Sequence, residues 1–151
     1  MLMTKKIVFT MLAAVVFSTQ LHAEVSCRDI PNLKVAKAQE VKFQGNVLRY
    51  EQKCWFLPLK SGQRLHVVLK DNNGNSALTI YKPGATIKYG SGNPQDEDPA
   101  NYYHGDTLKG APAWGETRKV DETITKSGKY LMVVGLSSGA GSEFNGKVKV
   151  K

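Results

Sequence analysis

Between Val35 and Val150 the apolar residues recur at every second position in short runs, and Gly, Asn, Pro and Ser break each run before it could complete a helical stripe. A period of two sends successive side chains to opposite faces of a strand, so this alternation commits the chain to sheets. Candidate strands lie at Val35–Phe43, Asn46–Tyr50, Trp55–Leu59, Arg64–Lys70, Ala77–Tyr81, Thr86–Tyr89, Lys119–Thr125, Lys129–Val134 and Lys147–Val150. Arg64–Lys70 is the clearest, with Leu65, Val67 and Leu69 facing one way. In Lys129–Val134, Tyr130, Met132 and Val134 oppose Leu131 and Val133, so both faces of that strand are expected to be covered. The pattern predicts an all-β fold, an antiparallel β-sandwich or jelly roll of about eight strands.

Residues 1–23 are of another kind. Lys5 and Lys6 precede a largely apolar run from Ile7 to Phe17, and Leu21-His22-Ala23 ends on a small residue. Such a run is too short to cross about 30 Å of hydrocarbon, so it reads as a cleavable signal peptide and not as an anchor. The first cysteine, Cys27, lies beyond the cleavage point, which also argues against a lipidated N-terminus. The expected product is a periplasmic domain spanning residues 24–151 and starting at Glu24. Removing Lys5 and Lys6 from the 21 basic residues leaves 19 against 13 acidic ones, a net charge of +6. That charge suits an acidic partner or plain solubility. The basic residues are scattered along the chain, which argues against a nucleic-acid groove. Cys27 and Cys54, a pair without CxxC spacing in an oxidising compartment, are expected to form one disulfide.

An enzyme finds no support. His66 lies within a strand and His104 in a loop, neither beside a serine or cysteine nucleophile, and no GxSxG, HExxH or GxxxxGK[ST] motif occurs. Asp96-Glu97-Asp98 between prolines reads as a solvated turn. Asp71-Asn72-Asn73-Gly74-Asn75 opens like a calcium loop but places Ser76 where Gly belongs and Lys82 where Glu belongs, so it reads as an Asn-Gly turn. No cofactor and no metal are expected. Two long loops are expected as well. Gly90–Glu116 carries Tyr102, Tyr103 and Trp114 and is long enough to be functional, and Gly135–Gly146 is a second, flexible loop.

Two Ser-Gly pairs, Ser61-Gly62 and Ser127-Gly128, each follow a lysine and precede a strand. Ser127-Gly128-Lys129-Tyr130 by itself reads as a β-turn with Tyr130 packed on the next strand. In context it carries more. Tyr50, Cys54-Trp55-Phe56, Ser61 to Val67, then Lys126 to Val134 and Lys147 to Val150 follow in an order that resembles the bacterial periplasmic lysozyme inhibitors. The spacing before Tyr130 is one residue shorter than in the inhibitors of c-type lysozyme, and no CKPHDC loop occurs. The resemblance therefore points to the inhibitors of i-type and g-type lysozyme, with i-type preferred. It implies that Ser127, Gly128 and Tyr130 enter the enzyme's cleft. The long Gly90–Glu116 segment departs from the compact g-type pattern, and its Tyr102, Tyr103 and Trp114, with Arg118, are expected as secondary contacts. The implied partner is a lysozyme, with no nucleic acid and no membrane anchor, and an exposed edge strand would permit a homodimer. The chain also resembles the jelly-roll binding modules appended to secreted bacterial peptidases. On that reading both Ser-Gly turns are structural and the long loop binds a glycan or a protein.

Overall fold

A computed structural model describes residues 27–91, 95 and 101–151. The expected signal peptide, the Glu24 start and the Asp96-Glu97-Asp98 turn lie outside the described residues. Nine strands follow in order: β1 (Glu40–Leu48), β2 (Gln52–Leu59), β3 (Arg64–Asp71), β4 (Ser76–Tyr81), β5 (Thr86–Tyr89), β6 (Asn101–His104), β7 (Lys119–Thr123), β8 (Gly128–Leu136) and β9 (Gly141–Val150). They form a four-stranded sheet ordered β1-β9-β3-β7, a three-stranded sheet ordered β2-β8-β4 and a β5-β6 hairpin, every strand pair antiparallel.

The two larger sheets close on one core. Leu65, Val67, Leu69, Val120, Val148 and Val150 face it from the first sheet, and Leu57, Leu78, Ile80, Tyr130, Met132 and Val134 from the second. This is the β-sandwich that alternation predicts, each strand giving every second side chain to the interior. Leu131 and Val133, on the other face of β8, join Cys27, Cys54 and Tyr81 in a smaller core. Strand β8 is thus covered on both faces, as its unbroken apolar run requires. The Cys27–Cys54 disulfide sits in that smaller core and closes a sequence separation of 27.

Three boundaries differ from the sequence reading, each because of glycine or the hairpin. Val35–Phe43 and Asn46–Tyr50 are not two strands. One strand, Glu40–Leu48, runs straight through Gly45. Gly135–Gly146 is not a loop, since Gly135 and Leu136 end β8 and Gly141 to Gly146 already belong to β9. Pairing explains both. Phe43 stands opposite Gly146, and Gly45 opposite Phe144. Each ring therefore lies over a bare glycine, and a Cβ added at Gly45 would sit 2.9 Å from Phe144 Cζ. These glycines are seats for aromatic rings and do not break the strand. Finally, the Gly90–Glu116 segment contains strand β6, which pairs with β5.

Candidate functional site

The two Ser-Gly turns, far apart in sequence, meet at one end of the sandwich. Strand β2 pairs with β8 so that Leu59 faces Gly128, and Ile124, just beyond β7, hydrogen-bonds to Gln63, just before β3. The turns that flank these strands are thereby forced together. Ser61 N–H donates to Ser127 Oγ at 2.9 Å, Ser61 Oγ donates to the Thr125 carbonyl at 3.0 Å, and Gly62 N–H donates to the Ile124 carbonyl at 2.7 Å. Gly62 holds φ at +90°, a conformation that glycine adopts without strain. Both serines are exposed, with the exposed lysines Lys60 and Lys126 beside them. Ser127 Oγ accepts from Ser61, and its own hydroxyl proton has no acceptor among the described residues. The tip therefore presents an aimed hydroxyl donor among cationic side chains.

The remainder of the expected motif lies beneath that surface. Tyr130 is only 1% exposed, part of the main core, and its hydroxyl donates to the Lys126 carbonyl at 2.7 Å. Burial pushes its phenol pKa up. Its ring is held in the core and not on the surface that would meet a cleft, because residue 130 falls on the inward face of β8. Gly128 is closed off as well: a Cβ there would lie 2.6 Å from Pro83 Cγ. Pro83, in the β4–β5 connection, is a tip residue that sequence reasoning missed, because nothing local signals the contact.

Of the four expected secondary contacts, three line one groove and Arg118 lies apart from it. Trp114 is 99% exposed and Tyr102 is exposed. Both line this groove of about 920 Å³, which also takes in Tyr81, Gly135 and Leu136. Tyr103 lines the same groove and is also held inward. It stacks on Tyr81 with ring centroids 5.3 Å apart, and its hydroxyl lies 3.4 Å from the sulfurs of both Cys27 and Cys54. Burial drives its phenol pKa well up. With Tyr89, whose hydroxyl donates to the Cys27 carbonyl at 3.1 Å, it fastens the β5-β6 hairpin to the disulfide. Arg118 clamps the β3–β4 turn, donating from Nε to the Ser76 carbonyl at 3.2 Å and from its terminal amino group to the Gly74 carbonyl.

That turn is closed by an acidic side chain. Asp71 is 97% buried by side-chain area, its carboxylate accepting from Gly74 N–H at 2.9 Å, from both Ser76 N–H and Oγ at 2.6 Å, and from Ser142 Oγ at 3.2 Å. Burial opposes the charge, but these donors together outweigh it and hold the carboxyl pKa below its ordinary range. His66 Nδ1 lies 3.4 Å from Asp121, and no serine or cysteine nucleophile contacts either ring nitrogen among the described residues. Among those residues no three His, Cys, Asp or Glu side chains gather closely enough to hold a metal ion.

No protein-family model and no curated protein matches the sequence. Solved structures do. The crystal structure of Aeromonas hydrophila PliG, a periplasmic inhibitor of g-type lysozyme, is 18% identical, with a TM-score of 0.55 over 81% of this chain and 95% of that one. Salmonella Typhimurium PliG, described in the same words, is 16% identical over 80% of this chain and 99% of that one, with a TM-score of 0.51. A mutant of Escherichia coli PliG is 16% identical over 80% and 96%, with a TM-score of 0.50. At these identities the likeness is one of fold.

Proposed function

We propose that this chain is an exported protein inhibitor of a lysozyme, and that its target is of the g-type. The i-type preference drawn from the sequence has no support among the structural neighbours, which inhibit g-type enzymes. The observation that carries the reading is the Ser127 hydroxyl, held at an exposed tip by the Ser61 N–H with its proton still available. Lysozymes act through carboxyl groups in an open cleft, one of them protonated as general acid. A narrow tip can enter such a cleft and donate a hydrogen bond to a carboxylate, while Lys60 and Lys126 answer the negative charge. Tyr130 acts from below as a positioning residue, since its hydroxyl fixes the Lys126 carbonyl and hence the turn.

Cell-wall lysis followed by turbidity tests the proposal. Purified residues 24–151 should slow lysis by g-type lysozyme, with weaker or no effect on i-type and c-type enzymes. Undiminished lysis by all three removes the reading.

Exposed Trp114 and Tyr102 over a groove favour a second reading, a binding module that takes a glycan by ring stacking. Under it, peptidoglycan fragments should quench tryptophan fluorescence in the wild type and leave that of Trp114→Ala unchanged, with no lysozyme inhibited.

A further inference from the structure

The basic residues that look scattered in sequence are gathered by strand alternation. On the four-stranded sheet the buried residues of β1, β3, β7 and β9 all fall on one of the two alternating sets of positions and turn inward. The positions between them therefore turn outward together. The register then aligns them. Lys42 stands beside Lys147, Lys147 beside Val68, and Val68 beside Lys119. In the next row Glu40 stands beside Lys149, Lys149 beside His66, and His66 beside Asp121. Lys70 and Arg64 lie toward the two ends of β3. Six cations thus share a face with three carboxylates, Glu40, Asp121 and Glu143.

Two of the cations are committed. Arg64 holds Asp121 through two hydrogen bonds at 2.6 and 3.1 Å, and Lys147 pairs with Glu40 at 3.0 Å. Lys42, Lys70, Lys119 and Lys149 form no ion pair among the described residues. They are spread across four strands, roughly 14 Å from β1 to β7 at the usual strand spacing.

We propose that this face docks the protein on an anionic lipid bilayer, its lysines meeting phosphate-bearing headgroups. Charge complementarity calls for a polyanion, and the form of the face selects which one. It is a sheet surface with no aromatic side chain pointing outward, since Phe43 and Phe144 face the core. Base stacking therefore has no platform here. Its arginine fork is already occupied by Asp121, so bidentate readout of phosphate or base edges is not offered. Apart from Val68 and exposed Leu48, at the end of β1, it lacks the apolar anchors that a protein interface uses. A plane of headgroups asks only for a matching plane of cations on long flexible stems. The Ser127 tip lies at the ends of the strands and not on this face, so docking leaves it accessible.

Purified protein mixed with vesicles of phosphatidylcholine alone, or of phosphatidylcholine with phosphatidylglycerol, tests this by co-sedimentation. Binding to the anionic vesicles only, weakening as salt rises, is expected. Each lysine neutralised near an anionic surface costs roughly fivefold. The triple variant Lys42→Gln, Lys119→Gln, Lys149→Gln should therefore lose roughly a hundredfold. Lys34→Gln, Lys88→Gln, Lys109→Gln removes equal charge outside the sheet and should retain most binding, with both variants sharing the wild-type circular dichroism. The proposal fails if the two triples lose equally, or if the wild type ignores anionic vesicles at low salt. It also fails if inorganic phosphate at matched ionic strength displaces the protein, or if duplex DNA binds more tightly than vesicles through the same three lysines. Lysozyme inhibition plays no part in this test, so neither reading falls with the other.

Discussion

Ser127 and Ser61 form one hydrogen-bonded unit at the tip, although 66 residues separate them. Ser127→Ala removes both the acceptor for Ser61 N–H and the hydroxyl offered to a carboxylate. A hydrogen bond to a charged group contributes about 1.5–3 kcal/mol. Inhibition of g-type lysozyme should accordingly weaken by roughly ten- to a hundredfold. Ser61→Ala keeps the N–H that holds Ser127 and loses only the bond to the Thr125 carbonyl. It should weaken inhibition less than Ser127→Ala, and a larger effect at residue 61 would move the key contact away from Ser127. Asp71 offers a test of stability. Its folded carboxyl pKa is depressed, so its contribution is present above the unfolded-state pKa and is lost as pH falls through the folded value. Asp71→Ala leaves the Ser76 and Ser142 hydroxyls without their acceptor and should cost about 2–3 kcal/mol at neutral pH. The difference in Tm between wild type and variant should shrink on acidification. A difference constant down to strongly acidic pH would show that the carboxylate charge is not what stabilises the turn.

The β5-β6 hairpin is the element whose stability depends most on a covalent link. It contributes to the smaller core through Ile87 and Tyr103 and reaches the disulfide through Tyr103 and Tyr89. Closing a loop of this length contributes about 3–4 kcal/mol in the chain-entropy account. The main core contains neither cysteine. Reduction should therefore lower the Tm while the β-sheet circular dichroism persists at room temperature. Hydrogen exchange should rise first in Thr86–Tyr89 and Asn101–His104. Uniform loss of protection across all nine strands would mean that both cores unfold together. The hairpin also shows why part of this region was illegible. Asn101–His104 is a four-residue strand among Gly, Pro and charged residues, and its partner and its disulfide contact supply the order that local propensity lacks.

For the whole molecule, alternation was the legible quantity. Leu65, Val67 and Leu69 show their inward face in the sequence, and the unbroken run Tyr130–Val134 shows that its strand is covered on both sides. The sandwich class and the Cys27–Cys54 pairing follow from such local and compositional signals. Strand neighbours do not. Gly45 and Gly146 look like breaks until register places Phe144 and Phe43 over them. Tyr130, offered as a cleft contact by its motif, is buried once the four-stranded sheet closes over β8. Ser61 and Ser127 look like independent repeats until β2 pairs with β8. Lys42, Lys119 and Lys147 look scattered until β9 and β3 bring their strands side by side. The sequence by itself determined which residues prefer strands and which side of each strand is apolar, because a period of two is a local property of the chain. Only the tertiary structure decided which turns form the tip and which charges share a face, because strand order and register are set by long-range packing of the whole core.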